Sequence, residues 1–198
     1  MKHGSIIKVK GLPKGSYTVT ERDNENYTLT AKIGETDQTI TDNSLTVDLS
    51  VDRTIDLTNT RKYAEVTISK TLIDPIQNRG TFSFAGTLMD GTRDITSLIS
   101  GLNSFTITAN TSAGTNTYTG TTHFNLPVGA ELTVTEIMTT EQAELYEGTV
   151  TPETGSLTIN ETAENNVLSF TNTRKSAKLT ITKNVTGDMN KAYLISEY

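Results

Sequence analysis

A phrase of six residues occurs twice in the chain and constrains the fold more than any other feature. LTNTRK occupies residues 57–62 and FTNTRK occupies residues 170–175. Each copy is preceded, after similar spacing, by a Pro/Gly turn and the words T-V-T-E, which end at Glu21 in one copy and at Glu136 in the other. Such an internal repeat is typical of a tandem array of one structural unit.

The residues between these phrases are typical of strands. The chain has 39 threonines, 4 prolines and no tryptophan, and Thr and Val recur in short alternating runs that fit a pleated, half-buried surface. We therefore predict an all-β fold of immunoglobulin-like sandwiches, with seven or eight strands in a full unit. Residues 6–9 and 179–183 are among the predicted strands, and 95–102 is predicted as a short helix or a loop.

The register of the repeat predicts how the chain divides. Residues 1–62 match roughly 118–175, and residues 176–198 match the opening of 63–117. Residues 1–62 are therefore predicted to be the C-terminal part of a module that lacks its first strands. Residues 63–175 form one complete module, and 176–198 supply the first strand or two of a further module.

Charge and composition exclude several classes of function. The net charge is −6 and the 17 basic residues are scattered, so no nucleic-acid partner is expected. No run approaches the 18 apolar residues of a membrane span, and the polar N-terminus does not resemble a signal peptide. The chain has no cysteine and only two histidines, so we expect no disulfide, no thiolate or zinc site and no histidine-based catalytic triad. Neither a cofactor nor a metal is expected.

Three polar residues are predicted to face the core. Lys70, Glu136 and Asn172 each lie in an alternating run, two residues beyond an apolar residue of the inward face. Each would cost several kcal/mol if buried singly, so we expect them to meet. The ordinary alternative is a buried ion pair with a hydrogen-bonded amide, or three strand ends that reach solvent.

Such a meeting permits a reaction. Desolvation lowers the pKa of a lysine and raises that of a carboxylic acid, so an enclosed pair can exist as neutral amine and neutral acid. The hypothesis is that Lys70 attacks the side-chain amide carbon of Asn172 while Glu136 polarises the carbonyl and relays protons. Ammonia leaves and an amide cross-link remains. The reaction turns over once, on the protein itself, so the chain is not predicted to be an enzyme.

These words resemble those of the isopeptide-forming β-sandwich modules of Gram-positive surface proteins, namely collagen-adhesin B-type (Cna-B-like) stalk domains and streptococcal pilin isopeptide-linkage domains. The similarity lies in V-T-I-S-K near the module start, L-P-x-G followed by T-V-T-E, and F-T-N-T-R at the end. It implies cross-link roles for Lys70 and Asn172 with Glu136 as the acid. Residues 12–15 (L-P-K-G) do not match a sortase signal, and no pilin assembly lysine motif is present, so neither anchoring nor polymerisation is expected of this fragment.

The other copies of the site are incomplete. Glu21 and Asn59 lack a lysine strand, and Lys183 lacks its acid and amide, so one bond of three can close in ordinary module order. The tail of one molecule could instead bring Lys183 to Asn59 of another. Against this, residues 176–198 would supply only part of the strands that 63–117 provide.

The combined interpretation is a mechanical one. The chain is predicted to be the stalk region of a bacterial cell-surface adhesin or pilus-like protein, extracellular and attached to the cell wall through other regions. Its partners would be neighbouring modules, and possible further partners are a host extracellular protein or glycan. The alternatives are a ligand-binding adhesin domain, which an exposed aromatic or apolar patch would favour, and an accessory module of a carbohydrate-active enzyme, which needs a concave site.

Overall fold

A computed structural model of the protein describes residues 4, 6–22 and 25–184. Strands dominate it, which confirms the prediction of an all-β fold. Within these residues no helix is both long and apolar enough to cross a bilayer. The strands fall into two groups along the chain. The first group contains β1 (Ser16–Thr20), β2 (Tyr27–Ile33), β3 (Thr36–Gln38), β4 (Ser44–Asp48) and β5 (Ile55–Arg61).

The first group forms two small sheets. β1 pairs with β4, and β2 lies between β3 and β5, all antiparallel. A small core of Ala31, Leu45 and Val47 lies between them, because alternate residues of β2 and β4 face inward.

The second group is larger and forms a two-layered sandwich with one short helix. It contains β6 (Tyr63–Ile73), β7 (Gly80–Asp90), β8 (Arg93–Asp94), β9 (Phe105–Ala109), β10 (Thr111–Gly114), β11 (Thr117–Pro127), β12 (Glu131–Ile137), α1 (Thr140–Leu145), β13 (Tyr146–Thr151), β14 (Ser156–Thr158) and β15 (Val167–Arg174). One sheet has the order β10-β11-β6-β15-β13. The other has the order β14-β12-β7, with β8 and β9 also paired to β7. A continuous apolar core fills the space between them.

The pairing of β6 with β15 brings together the first and last strands of this sandwich. It is parallel, whereas the other named strand pairs are antiparallel, and its register places Phe170 beside Lys70 and Asn172 beside Leu72. Residues paired in this way point to the same face of a sheet. Lys70 and Asn172 therefore lie diagonally across two neighbouring strands, and both face the core.

A single residue, Lys62, separates the two groups of strands. Its amide donates to the carbonyl of Asn26 and its carbonyl accepts from the amide of Val128, both at 2.9 Å. Beside it, Arg61 forms an ion pair with Asp90 at 3.1 Å and donates to the carbonyl of Val128 at 2.6 Å. The connection between the two groups of strands is therefore one residue long, and hydrogen bonds from both groups hold it.

Two predicted strands are not formed. Residues 6–9 have no strand, and Ile6, Ile7 and Val9 are 81%, 68% and 68% exposed. Residues 175–184 likewise have no strand, and Lys183 lies in this exposed stretch. Alternation alone does not make a strand, since its backbone groups need a partner edge, and no described strand pairs with either stretch. The rest of the predicted segment, 185–198, lies outside the described residues.

The second group also differs in detail from the prediction. It has ten strands where seven or eight were expected, because β8, β10 and β14 are too short to show an alternating pattern. Residues 95–102 contain a short 3-10 helix, Thr96–Leu98. The acidic stretch after β12 begins with α1. A capping box formed by Thr139 and Gln142 stabilises this helix at its start.

Candidate functional site

Lys70 and Asn172 lie at the centre of the sandwich. Both side chains are fully buried, and Lys70 is among the largest fully buried side chains of the described residues. β6 and β15 place them there because each continues the inward face of an apolar strand, with Ile68 and Leu72 flanking the lysine and Phe170 preceding the amide. A buried lysine and a buried amide need polar partners within the core.

Glu136 supplies those partners from the facing sheet. It lies on β12, and its side chain is 7% exposed. Its Oε2 accepts a hydrogen bond from Lys70 Nζ at 2.9 Å, and its Oε1 accepts one from Asn172 Nδ2 at 2.7 Å. The structure therefore brings together all three residues predicted for the site, with the carboxylate bridging the amine and the amide nitrogen.

The surroundings of Lys70 are aromatic and buried. Its Nζ lies 4.5 Å from the centre of the Phe82 ring, and Phe84 packs edge-on against Phe170 with ring centres 5.1 Å apart. Burial lowers the pKa of Lys70 to about 8, although the hydrogen bond and charge of Glu136 act in the opposite direction. The neutral amine, which is the nucleophilic form, is therefore far more accessible than in an exposed lysine.

Asn172 keeps one polar atom unpaired. Its Oδ1 is buried and accepts no hydrogen bond from any described residue. Glu136 contacts the nitrogen of this amide, so the predicted polarisation of the carbonyl by Glu136 has no counterpart in the contacts. On β13, Gly148 pairs with Asn172, and a Cβ at Gly148 would lie 3.1 Å from Oδ1 and 2.6 Å from the Met138 methyl. The absence of a side chain at Gly148 leaves room for the amide.

A surface cleft of about 310 Å³ opens beside the site. Its walls include Glu136, Met138, Gly148 and Phe170. The carboxylate that bridges the lysine and the amide thus also borders a path to solvent. A small molecule released at Asn172 would have a short route out.

A second buried polar cluster lies at the end of the same two strands, and sequence reasoning missed it. Asp74, which follows β6, accepts hydrogen bonds from the Tyr146 hydroxyl at 2.7 Å and from Arg174 at 3.0 Å. Burial alone would raise the pKa of Asp74, but the hydrogen bonds from Tyr146, the amides of Ile76 and Gln77, and Arg174 outweigh it and hold the pKa at about 2. Burial and the contact with Asp74 raise the pKa of Tyr146 to about 12.

The repeated phrase carried a signal for this cluster. Arg174 is its fifth residue, and the equivalent Arg61 donates to Tyr27 at 2.9 Å, as Arg174 meets Tyr146. In the second group the arginine also binds Asp74, whereas Arg61 binds Asp90 across the junction. The arginine that the phrase repeats two residues after Asn59 and Asn172 is the sequence signal for this second contact.

The incomplete copy of the site is partly assembled. Asn59 Nδ2 donates to Glu21 Oε1 at 2.7 Å, so the structure brings these two predicted residues together on β5 and just after β1. Glu21 Oε2 is shielded from solvent and has no hydrogen-bond partner in the part of the chain that the structure describes. Lys183 lies in the exposed stretch after β15.

No group of three or more His, Asp or Glu side chains in the described ranges could hold a metal ion. No protein-family model matches the chain, and no curated protein matches it. Among solved structures, it is similar to the major pilin protein (T3.2) from Streptococcus pyogenes serotype GAS13637. That match has a TM-score of 0.45 and 14% identity, and it covers 85% of this chain and 69% of that one.

Proposed function

We propose that the sandwich from β6 to β15 is a structural stalk module whose first and last strands become joined by an amide bond between Lys70 and Asn172. One observation carries this proposal. A buried amine, a buried amide and a carboxylate that contacts both nitrogens lie together in the core. A purely structural ion pair does not need a carboxamide as its third member.

The positions of the carboxylate oxygens suit a proton relay. Glu136 Oε2 takes a proton from the Lys70 ammonium, which leaves a neutral amine. The amine attacks Cγ of Asn172, and the bond from Nζ to Cγ forms as a tetrahedral intermediate develops. Glu136 passes a proton from the attacking nitrogen to Nδ2, which Oε1 already contacts. The bond from Cγ to Nδ2 then breaks and ammonia leaves. The proton that Glu136 took from the Lys70 ammonium in the first step leaves with it as ammonium, which restores the carboxylate.

The environment supports each step. Burial favours the neutral amine, as the pKa of about 8 for Lys70 indicates. Asn172 Oδ1 accepts no hydrogen bond from the described residues before the reaction. No hydrogen bond to that oxygen therefore has to break when the carbon is attacked. The cleft beside Glu136 offers ammonia a way out of the core.

The location of the bond explains its use in a stalk. Tension along the chain pulls the start of β6 and the end of β15 in opposite directions, which shears the parallel pair. Without a bond, unfolding from residue 63 to 174 releases about 390 Å of extended chain. With the bond, tension passes from β6 directly to β15, and only the residues outside the closed loop can extend, about 40 Å. The module would resist force without disulfides.

This role places the chain outside the cell. We propose a bacterial cell-surface adhesin or pilus-like protein as its setting, with neighbouring modules as its partners. The proposal is supported by the similarity of the repeated words to isopeptide-forming modules and by the direct connection of the two strand groups through Lys62.

Intact mass under denaturing conditions tests the bond. We expect a mass one ammonia below that of the sequence, and digestion should yield a branched peptide that joins residues 70 and 172. Lys70→Met and Glu136→Gln should each restore the sequence mass, whereas Lys32→Ala, at an exposed ion pair with Asp37, should keep the loss. A wild-type mass equal to that of the sequence refutes the bond. If Lys70→Met still shows the loss of ammonia, Lys70 is not the lysine that forms the bond.

A further inference from the structure

The parallel pairing of β6 with β15 ends in an ion pair. The last paired residues lie one position before Asp74 on the first strand and one position before Arg174 on the last. Arg174 Nη1 lies 3.0 Å from Asp74 Oδ2, so the ion pair continues the register of the two strands by one step. Asp74 follows Lys70 by four residues, and Arg174 follows Asn172 by two. The register that joins the two ions is therefore the register that places the amide beside the lysine.

Apolar packing alone specifies this register weakly. The other inward residues of the two strands near the site are buried and apolar, namely Val66, Ile68, Leu72, Leu168 and Phe170. A slip of β15 by two residues keeps the same side chains inward and exchanges apolar neighbours, but it moves Asn172 by about 6.6 Å along β6. The slip also separates Asp74 from Arg174 and leaves a buried carboxylate without its cation, which is costly. The ion pair therefore disfavours the registers that would misplace the amide.

The carboxylate of Asp74 is held rigidly enough to act as a reference point. Its side chain is fully buried. Its Oδ1 accepts hydrogen bonds from the backbone amides of Ile76 and Gln77 at 2.8 and 3.0 Å. Its Oδ2 accepts from the Tyr146 hydroxyl at 2.7 Å as well as from Arg174. Both oxygens are occupied, and the two amides of the following loop fix the orientation of the carboxylate.

Tyr146 extends this contact to a third strand. It is the first residue of β13, which lies on the other side of β15 from β6. Two residues further along β13, Gly148 pairs with Asn172. The Tyr146 ring packs edge-on against Phe82 with ring centres 6.1 Å apart, and Phe82 is the ring beside the amine of Lys70. The Asp74 carboxylate thus connects the strands on both sides of the amide, and through Tyr146 it supports the ring that contacts the amine.

We propose that Asp74 is a positioning residue for the bond between Lys70 and Asn172, and that it acts through Arg174 and Tyr146 on the register of β15. The inference rests on the proposed function, because it assigns a role in that same reaction. Attack requires the amine nitrogen and the amide carbon to approach to about 3–3.5 Å, and a misplacement of about 1 Å can slow a reaction by about 100-fold. Loss of these contacts should therefore slow bond formation in molecules that are folded, beyond any change in how many molecules fold.

The test measures the rate of bond formation per folded molecule in full-length chains. The protein is made briefly by cell-free translation, synthesis is stopped, and samples are quenched in denaturant at intervals. Intact mass gives the fraction that has lost one ammonia, and protease resistance of parallel samples gives the folded fraction. Asp74→Asn and Arg174→Gln should each slow bond formation at least about tenfold. Arg174→Lys keeps a cation for Asp74 and should link faster than Arg174→Gln.

A matched control separates positioning from general stability. Ile159 is a buried core residue whose backbone bonds to Gly129 and Ala130, near the start of β6 and so at the opposite end of the sandwich from Asp74. Ile159→Ala leaves a cavity there and destabilises the fold without touching the Asp74 contacts. Its folded molecules should form the bond at the wild-type rate.

Two results would overturn the inference and leave the proposed function standing. One is a wild type that loses ammonia while Asp74→Asn or Arg174→Gln does so equally fast per folded molecule. The other is an equal slowing in Ile159→Ala, since the effect would then be one of general stability. A wild type that never loses ammonia overturns the proposed function together with the inference. The Arg174 side chain is 18% exposed, so Arg174→Gln still provides the test if Asp74→Asn does not fold.

Discussion

Removing the cross-link should lower the stability of the sandwich by an amount that its position sets. A bond between residues 70 and 172 closes a loop of about 100 residues, and the chain-entropy relation for such a loop gives about 4.7 kcal/mol. The sandwich from residue 63 to 174 has an unfolding entropy near 0.24 kcal/mol per kelvin at typical specific values. The expected decrease in Tm is therefore about 20 °C.

The variant must remove the bond without leaving a charge alone in the core. Lys70→Met combined with Glu136→Gln removes both charges and keeps the side-chain volumes. Replacing a buried ion pair by neutral groups of similar volume is often close to neutral for stability. The difference from the wild type then reports mainly the lost bond. Differential scanning calorimetry of the full chain gives the transition, and denaturing mass shows which samples are linked.

If the wild type has lost one ammonia and the double variant has not, yet the two transitions lie within about 5 °C of one another, the bond does not stabilise by restricting the unfolded chain. A single variant, Lys70→Met, should be less stable than the double variant. It leaves the Glu136 carboxylate, whose side chain is 7% exposed, without its cationic partner.

Three further perturbations address the surroundings of the site. Asp74→Ala should cost about 2 kcal/mol in urea unfolding, since it leaves the buried hydroxyl of Tyr146 without its acceptor. In Asn172→Ala, which keeps the amine and cannot cross-link, burial holds the folded-state pKa of Lys70 at about 8, below the ordinary value of 10.5. The unfolded chain then binds more protons between these values, so stability should rise by about 3 kcal/mol as pH increases from 8 to 10.5, and a flat profile would contradict the burial effect. Gly148→Ala should slow bond formation in a refolding time course followed by mass, because the added Cβ crowds the amide oxygen at 3.1 Å.

Sequence alone predicted the parts of the site that follow from strand periodicity. Lys70, Glu136 and Asn172 continue alternating apolar runs, and a period of two decides which face each side chain takes. The repeated phrase added the order of the strands around them. Neither the alternation nor the repeated phrase predicts that β6 pairs in parallel with β15. That pairing makes the lysine and the amide neighbours.

What could not be predicted depends on contacts distant in sequence. The stretches 6–9 and 179–183 have good strand patterns, but local propensity does not supply a partner edge. In the sequence, Asp74 is an ordinary acidic residue after a strand. Its role depends on hydrogen bonds from Tyr146 and Arg174, which lie about 70 and 100 residues further along the chain. Which oxygen of Glu136 meets which nitrogen is a matter of side-chain geometry across two sheets, which no spacing in the sequence reports.

The parallel pairing of β6 with β15 also sets the order of events during synthesis. Lys70 is made about 100 residues before Asn172, so the two meet only after nearly the whole sandwich has left the ribosome and its last strand has docked. A truncated or misfolded chain would keep its amine and its amide unreacted. The bond would therefore form only in molecules that have finished folding. Once formed, it would turn a reversible equilibrium into a permanent state, without any chaperone or enzyme to select those molecules.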